Sequence, residues 1–394
     1  MSLSHSGILL GVGAAAFLGP FSQTAYAPSL PELGSFFAVN TVLVNLTISL
    51  FMAILALATL LVGPMADRWG RRAMLLPGLL LFTLGSLLCL FAASYWIFLG
   101  GRMVQAIGIS TAIVIAPTVI GDVFPQQERV AAIGLYQALT FLGPVLGPVV
   151  GGLIAAHLQW QWVFALLAAG GLAAWFYNRK HLPETLPAGL VPVPIRLRSF
   201  RSVLANRSAV AVLMLGFSQF FGYYVFLVFL PTLLATLYPQ QAASTGFFFL
   251  PLTAGILAAI SLSGRFARRW RRSHVVGAAT FGIAGSVLLF WLALSAGLMS
   301  LPLLLVFLLA YGLLLGASLP VQTTILVSLF HEEKATAVGS YNFCRFAGAA
   351  CGPLVGGLIS LAYGVDTVFL VLGVLLLAAA WVVKRQLTDA LELP

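Results

Sequence analysis

The sequence predicts an all-α membrane protein in which two similar six-helix halves follow one another in tandem. Three observations carry that prediction. The chain has 394 residues, of which 61% are hydrophobic and only 8% charged. That is more apolar surface than a water-soluble domain can hide, so lipid is the solvent for most of the chain. The apolar residues gather in twelve segments, each close to the ~20 residues a spanning helix needs, and they do not alternate with polar residues as barrel strands would. Finally, GLYQALTFLGPVLGPVVGGLI at 134–154 returns as GSYNFCRFAGAACGPLVGGLI at 339–359. At one constant offset Gly134 falls on Gly339, Tyr136 on Tyr341, Gln137 on Asn342, Gly143 on Gly348, Gly147 on Gly352, Pro148 on Pro353, and Gly151-Gly152 on Gly356-Gly357. A common register kept over that length marks a chain made of internal repeats.

Taken in order, the segments run over 7–30, 40–64, 73–93, 96–121, 130–156, 160–178, 208–236, 243–264, 273–296, 300–328, 335–361 and 365–384. They divide the chain into a first six-helix bundle at 1–178, a linker at 179–207 and a second six-helix bundle at 208–394. The N-terminal MSLSHSGILLGVG has no basic n-region, so the first segment reads as a retained helix and not a cleaved signal. The net charge of +10 is not that of a nucleic-acid binder, because of where the charge sits. With the N-terminus placed inside, all 20 Lys and Arg except Arg102 and Arg345 fall in inside loops or the C-terminal tail. The positive-inside rule then puts both termini in the cytoplasm. Tyr95-Trp96 and Trp160/Trp162, at outside ends, read as aromatic-belt anchors. In the linker, Pro183, Pro187, Pro192 and Pro194 favour an extended chain. The IRLRSFRSVL that follows alternates basic and apolar residues, as a plain connector or as a segment lying on the inner leaflet. Cys89, Cys344 and Cys351 lie inside apolar runs. Cys344 and Cys351, two turns apart, are about 10 Å from each other, too far for a bridge.

Four motifs stand out against this background. The loop between segments 2 and 3 reads Gly63-Pro-Met-Ala-Asp67-Arg68-Trp-Gly70-Arg71-Arg72. Gly63 would let helices approach, and Asp67 would pair with a nearby Arg or with a helix N-terminus. Segment 4 carries Arg102, Gln105 and Gly108. Segment 5 carries Gly143, Gly147, Pro148, Gly151 and Gly152. Its glycines make one flat stripe for close packing, and its proline invites a bend. Segment 1 carries Tyr26, Pro28 and Pro31. Together these resemble the motifs of the major facilitator superfamily: the G-x-x-A-D-R-x-G-R-R loop, R-x-x-Q-G with the glycine displaced by two places, the antiporter G-x-x-x-G-P-x-x-G-G, and the Y-x-P-x-x-P of the Bcr/CflA-like multidrug branch of the twelve-helix drug:proton antiporters. The resemblance implies a major facilitator fold with twelve transmembrane helices and a central cavity. It makes Gly63, Asp67, Arg68, Gly70, Arg71 and Arg72 a conformational latch. It gives Arg102 and Gln105 a part in proton coupling, and Gly143, Gly147, Pro148, Gly151, Gly152, Gly352 and Pro353 the antiporter seam. The second half repeats the loop motif with Arg268 in place of the acid, so the latch is asymmetric. The branch commonly has an aspartate two places before the Tyr, where this chain has Thr24.

That departure matters because none of the ten acids lies mid-helix, where a proton carrier is expected. The nearest candidates for coupling are Asp122, at the inside end of segment 4, and Glu32, at the outside end of segment 1. Arg102 at membrane depth calls for a wet cavity, a partner, or snorkelling to the interface. Arg345 stands where the repeat has Thr140. It would either draw an anionic substrate or chloride or sit near the inner end on backbone carbonyls. In the fold implied, the substrate-contacting residues are Gln23, Tyr26, Asn45, Arg102, Gln137, Gln219, Tyr223, Gln322, Asn342 and Arg345. Such a surface is lightly polar and aromatic, which suits lipophilic or amphipathic solutes better than sugars.

No phosphate-binding Gly-rich loop, nucleophile triad or metal-ligand cluster is present in the sequence. The expectation is therefore a non-enzyme without cofactor or metal: a monomeric exporter of the bacterial inner membrane, exchanging protons for small lipophilic molecules by alternating access. The alternative is an exporter or uniporter of an organic anion or metabolite guided by Arg102 and Arg345. A non-transporting membrane receptor or scaffold fits the fold but not the latch and seam motifs.

Overall fold

A computed structural model of the chain describes residues 5–186, 197–239, 246–269, 271–330 and 334–387. Among them the regular structure is helical. A broken first helix (α1, His5–Thr24; a 3-10 turn, Ala27–Ser29; α2, Leu30–Phe36) is followed by α3 (Thr41–Trp69), α4 (Arg71–Leu90), α5 (Tyr95–Val123), α6 (Gln126–His157) and α7 (Gln161–His181). After a short α8 (Leu197–Ala205) come α9 (Arg207–Leu237), α10 (Phe249–Arg269), α11 (Arg272–Ser295), α12 (Leu301–Leu329), α13 (Lys334–Tyr363) and α14 (Val365–Gln386). With α1 and α2 taken as one span, twelve long helices coincide with the twelve apolar segments. Nine spans among the described residues are long and apolar enough to cross a membrane. This is a multi-pass membrane protein.

Local chemistry sets the helix ends. Asn40 Oδ1 accepts the Leu43 N–H at 3.0 Å to start α3, and Ser94 Oγ accepts that of Ile97 at 3.4 Å to start α5, each satisfying a donor that has no partner inside its helix. The reversal between α3 and α4 is made at Gly70, whose φ of 107° lies where L side chains rarely go. The break after α1 is made by Pro28 and Pro31, each in the first turn of the short helix that follows.

The chain divides into two compact units, Met1–Ile195 with Tyr238–Phe247, and Arg196–Leu237 with Phe248–Pro394. Each has the same partner scheme. In the first, α1 packs on α6 and α7, α3 on α5, and α4 on α5 and α7. In the second, α9 packs on α13 and α14, α10 on α12, and α11 on α12 and α14. A contact map repeated helix for helix is the structural form of the sequence repeat. The short α8 packs on α9 and α13. Val203 is buried in the second unit's core, beside Val212 and Tyr341, while Leu204 stays 64% exposed.

One expectation is corrected at the ends of the spans. Trp96 and Trp162 are exposed, as belt residues are, but Tyr95 and Trp160 are buried. Tyr95 Oη donates to the Leu43 carbonyl at 2.8 Å. The Trp160 ring packs edge-on to Phe36, Phe98 and Phe164. Edge-to-face contacts of this kind add to the stabilisation from ring burial.

Candidate functional site

The glycine stripes come first, because they fix how closely the helices lie. A Cβ at Gly143 would stand 2.7 Å from the Phe21 nitrogen, one at Gly147 would fall on Thr24 Oγ1, and one at Gly151 would fall on the Ala25 carbonyl oxygen. In the second unit, a Cβ at Gly348 would fall on the Phe217 oxygen, and one at Gly352 would lie 2.5 Å from the Phe221 oxygen. Both stripes thus lie flat on the backbone of their unit's first long helix, with Pro148 and Pro353 within α6 and α13. Gly152 faces Gly246, whose Cα would lie 2.6 Å from an added Cβ. Thr24, in the place of the expected aspartate, is buried in this seam, its hydroxyl 3.1 Å from the Pro20 carbonyl and 3.4 Å from that of Gly143. A second pair of small-residue faces joins α4 and α5, where Gly85 lies against Gly101 and Gln105, and Gly108 against Gly78 and Phe82. Gly78 and Gly85 were not singled out from the sequence, although their spacing of seven on one helix was the available signal.

Gly63 does not have the role expected of it. The nearest atom to a Cβ placed there is Val114 Cγ1 at 4.0 Å, an ordinary contact, so no helix presses on it. The other latch residues converge. Arg71 is buried to 4% exposure. Its Nη1 donates to Asp67 Oδ1 one turn back, and its Nε donates to Asp122 Oδ2 at 3.3 Å across to the end of α5. Arg72 Nη2 donates to the Arg179 carbonyl at 2.9 Å. Arg68 is exposed, so the pairing belongs to Arg71.

The cluster contains a residue that the sequence left in a loop. Glu184 accepts the backbone N–H groups of Arg71 at 2.7 Å, Arg72 at 3.1 Å and Ala73 at 3.4 Å, together with those of Thr185 and Leu186. It therefore caps α4, which has only Gly70 at its N-cap position, from more than a hundred residues away. A side chain at Gly70 would fall on the Glu184 carboxylate. Burial pushes the Glu184 carboxyl up, but the N–H groups of Leu186, Arg71, Ala73 and Thr185 outweigh it and hold the group below its ordinary value. Thr185 Oγ1 donates to Asp122 Oδ2 at 3.3 Å. The ends of α3 and α5, the start of α4 and the chain after α7 thus meet at one ionic knot.

Arg102 is 1% exposed and does not snorkel. Its guanidinium carbon stands 4.1 Å from the Phe51 ring centroid and 4.3 Å from that of Tyr26. Nη1 donates to Gln105 Oε1 at 2.6 Å, and Gln105 Nε2 donates to Ser86 Oγ at 2.6 Å. Arg102 Nε and Nη2 are buried without a hydrogen-bond partner. Gln23 and Asn45 are buried in the same unit. Glu32 is exposed in the first turn of α2. Gln137 lies outside the described side chains, as does the degraded loop motif around Arg268.

In the second unit, Gln322 Nε2 donates to Gln219 Oε1 at 2.8 Å and to Ser318 Oγ at 2.7 Å, while its Oε1 accepts from Tyr341 Oη at 2.9 Å. Tyr223 is buried nearby on α9. Arg345 Nη1 donates to Asn342 Oδ1 at 3.3 Å, and its guanidinium carbon lies 3.9 Å from the Phe220 ring centroid. These polar residues are joined mostly to one another, as helix–helix hydrogen bonds. Arg345 and Asn342 keep partial exposure. Among the described residues no group of three or more His, Cys, Asp or Glu could hold a metal ion.

This geometry agrees with what the chain is similar to. The Major Facilitator Superfamily profile matches residues 12–295 and 244–390. Multidrug resistance protein MdtL of Escherichia fergusonii is 30% identical over 259 residues, 64% of each chain. MdtL of Salmonella typhimurium is 30% identical over 260 residues with the same coverage. The match thus spans about 64% of the length of these curated relatives. Among solved structures, a D-xylose-proton symporter superposes with a TM-score of 0.80 at 16% identity over 97% of both chains. A bacterial homolog to the human lysosomal transporter Spinster, inward-facing and occupied, does so at 0.80 and 17% over 98% of both. At that identity the structural likeness speaks for the fold alone. Profile, repeat and fold agree, and the chain belongs to the major facilitator superfamily.

Proposed function

We propose that the protein is a secondary active transporter that exports lipophilic or amphipathic small molecules across the bacterial inner membrane, in exchange for protons, by alternating access. It acts as a monomer with both termini cytoplasmic. The observation that carries this reading is the duplicated glycine–proline seam. Two helices, α6 and α13, lie on backbone and not on interlocking side chains, so each can shift against its neighbour without first unlocking a packed core. The likeness to Multidrug resistance protein MdtL supports drug-like solutes as cargo.

The ionic knot supports a part in coupling. Two carboxylates, Asp67 and Asp122, share one guanidinium, so the junction of α3, α4 and α5 is tied through the single buried side chain of Arg71. Glu32, exposed and without a guanidinium partner among the described residues, is less suited. Everted membrane vesicles preloaded with a proton gradient provide the test. Uptake of a lipophilic dye should stop when a protonophore collapses the gradient. Uptake that continues unchanged removes proton exchange, and absence of uptake under any gradient removes transport.

A further inference from the structure

The second unit holds a partly buried guanidinium that no acid among the described residues balances. Arg345 lies twelve residues into α13, inside the span Ala337–Tyr363 and about a third of the way along it. The acids in residues 208–394 are Glu332, Glu333, Asp366, Asp389 and Glu392, and the one among the described residues, Asp366, lies in the first turn of α14. Among the described residues no acid forms an ion pair with Arg345. Its guanidinium rests on the Phe220 ring, with the Tyr341 ring 5.3 Å from its centre. A Cβ at Gly216 would lie 3.2 Å from Arg345 Cγ, so the glycine leaves the stem its room. Nη1 holds Asn342, whereas Nε is buried with no hydrogen-bond partner.

We propose that Arg345 is the anion-recognising group of the export site, and that the cargo is an amphipathic molecule carrying a carboxylate or sulfonate on a flat apolar body. This rests on the export reading above and specifies its substrate. A guanidinium lacking an internal counter-charge at membrane depth is stabilised most by an anion that arrives with the ligand. The ring of Phe220, itself partly exposed, supplies a face for the apolar part. Gln322 is not a competing contact, since its amide is already committed to Gln219, Ser318 and Tyr341. Its role is to hold the Tyr341 ring in place. Arg345 and Asn342 are partly exposed, so a ligand can reach them, whereas Gln219 and Gln322 are closed off. The assignment also suits the energetics of export: an anion moving outward travels in the direction favoured by an inside-negative potential, as does a proton moving inward.

The test uses the purified full chain and three pyrenylbutyl probes that differ only in their head: a sulfonate, an alcohol and a trimethylammonium. Binding is read by energy transfer from tryptophan. The sulfonate should bind at least tenfold tighter than the alcohol, with the cation weakest. Arg345→Gln should bring the sulfonate to within about twofold of the alcohol, with an unchanged thermal melting profile showing that the variant is folded. Asn342→Asp, which sets a carboxylate beside Nη1, should weaken the sulfonate selectively in the same way. Cation binding equal to or tighter than that of the sulfonate overturns the proposal, as does a sulfonate preference that survives both substitutions. Everted vesicles separate the two claims. Selective binding without uptake of any probe sinks export but keeps the site, whereas uptake without charge preference keeps export and sinks the site.

Discussion

Glu184 joins the start of α4 to the chain that follows α7, and its chemistry gives a test of the ionic knot. Its folded pKa lies below its unfolded one. Its contribution is therefore complete at neutral pH, above the unfolded value, and is lost as pH falls through the folded value. The melting temperature of wild type should exceed that of Glu184→Gln most at neutral pH, and the two should converge on acidification. Glu184→Ala should cost about 1 kcal/mol, as for loss of an N-cap. Fluorescence melting over a pH series measures both. For Asp67 the sequence offered a nearby arginine or a helix N-terminus as partner, and the structure selects Arg71, four residues on. Glu184 was not, because its partners lie 111–113 residues away and backbone N–H groups leave no mark on residue identity. Arg102 was legible as a cation within a span, but its burial and the rings of Phe51 and Tyr26 around it depend on how three helices cross.

The helices were the most legible level, since every apolar segment became one. Their packing was legible only where small residues are regularly spaced. The α6 and α13 stripes could be read as seams, but what they lie against could not, because a glycine is compatible with any close neighbour. The structure separates glycines that look alike in sequence. Gly151→Ala would drive a methyl group into the Ala25 carbonyl, whereas nothing lies within 4 Å of a Cβ at Gly339. The first substitution should destabilise by about 1–3 kcal/mol or more, as overpacking does. The second should be neutral or stabilising by up to about 1 kcal/mol through helix propensity. Thermal melting of the two purified variants should therefore shift in opposite directions, or only for Gly151→Ala.

Across the whole molecule, the repeat implied two similar six-helix halves before any contact was known, and the basic residues implied an orientation with both termini inside. In a chain whose three cysteines have been replaced, Ala93→Cys should react with a membrane-impermeant maleimide in intact cells. Arg68→Cys should react only after permeabilisation. The reverse pattern would turn the chain over and undo the assignment of both termini. The linker was the least legible part. Its prolines and arginines fit a tether or a leaflet-bound segment, and burial of Val203 against the second unit is a tertiary contact that short-range pattern does not encode.

The paired carboxylates of the ionic knot all reside in the first unit, while the second holds a cation with no carboxylate partner among the described residues. Duplication gave two copies of one scaffold, and divergence then had room to specialise them. One copy could keep a joint that opens and closes, and the other could drift toward selecting cargo. Substitutions that retune what is carried should therefore accumulate in the second copy without disturbing the moving parts of the first.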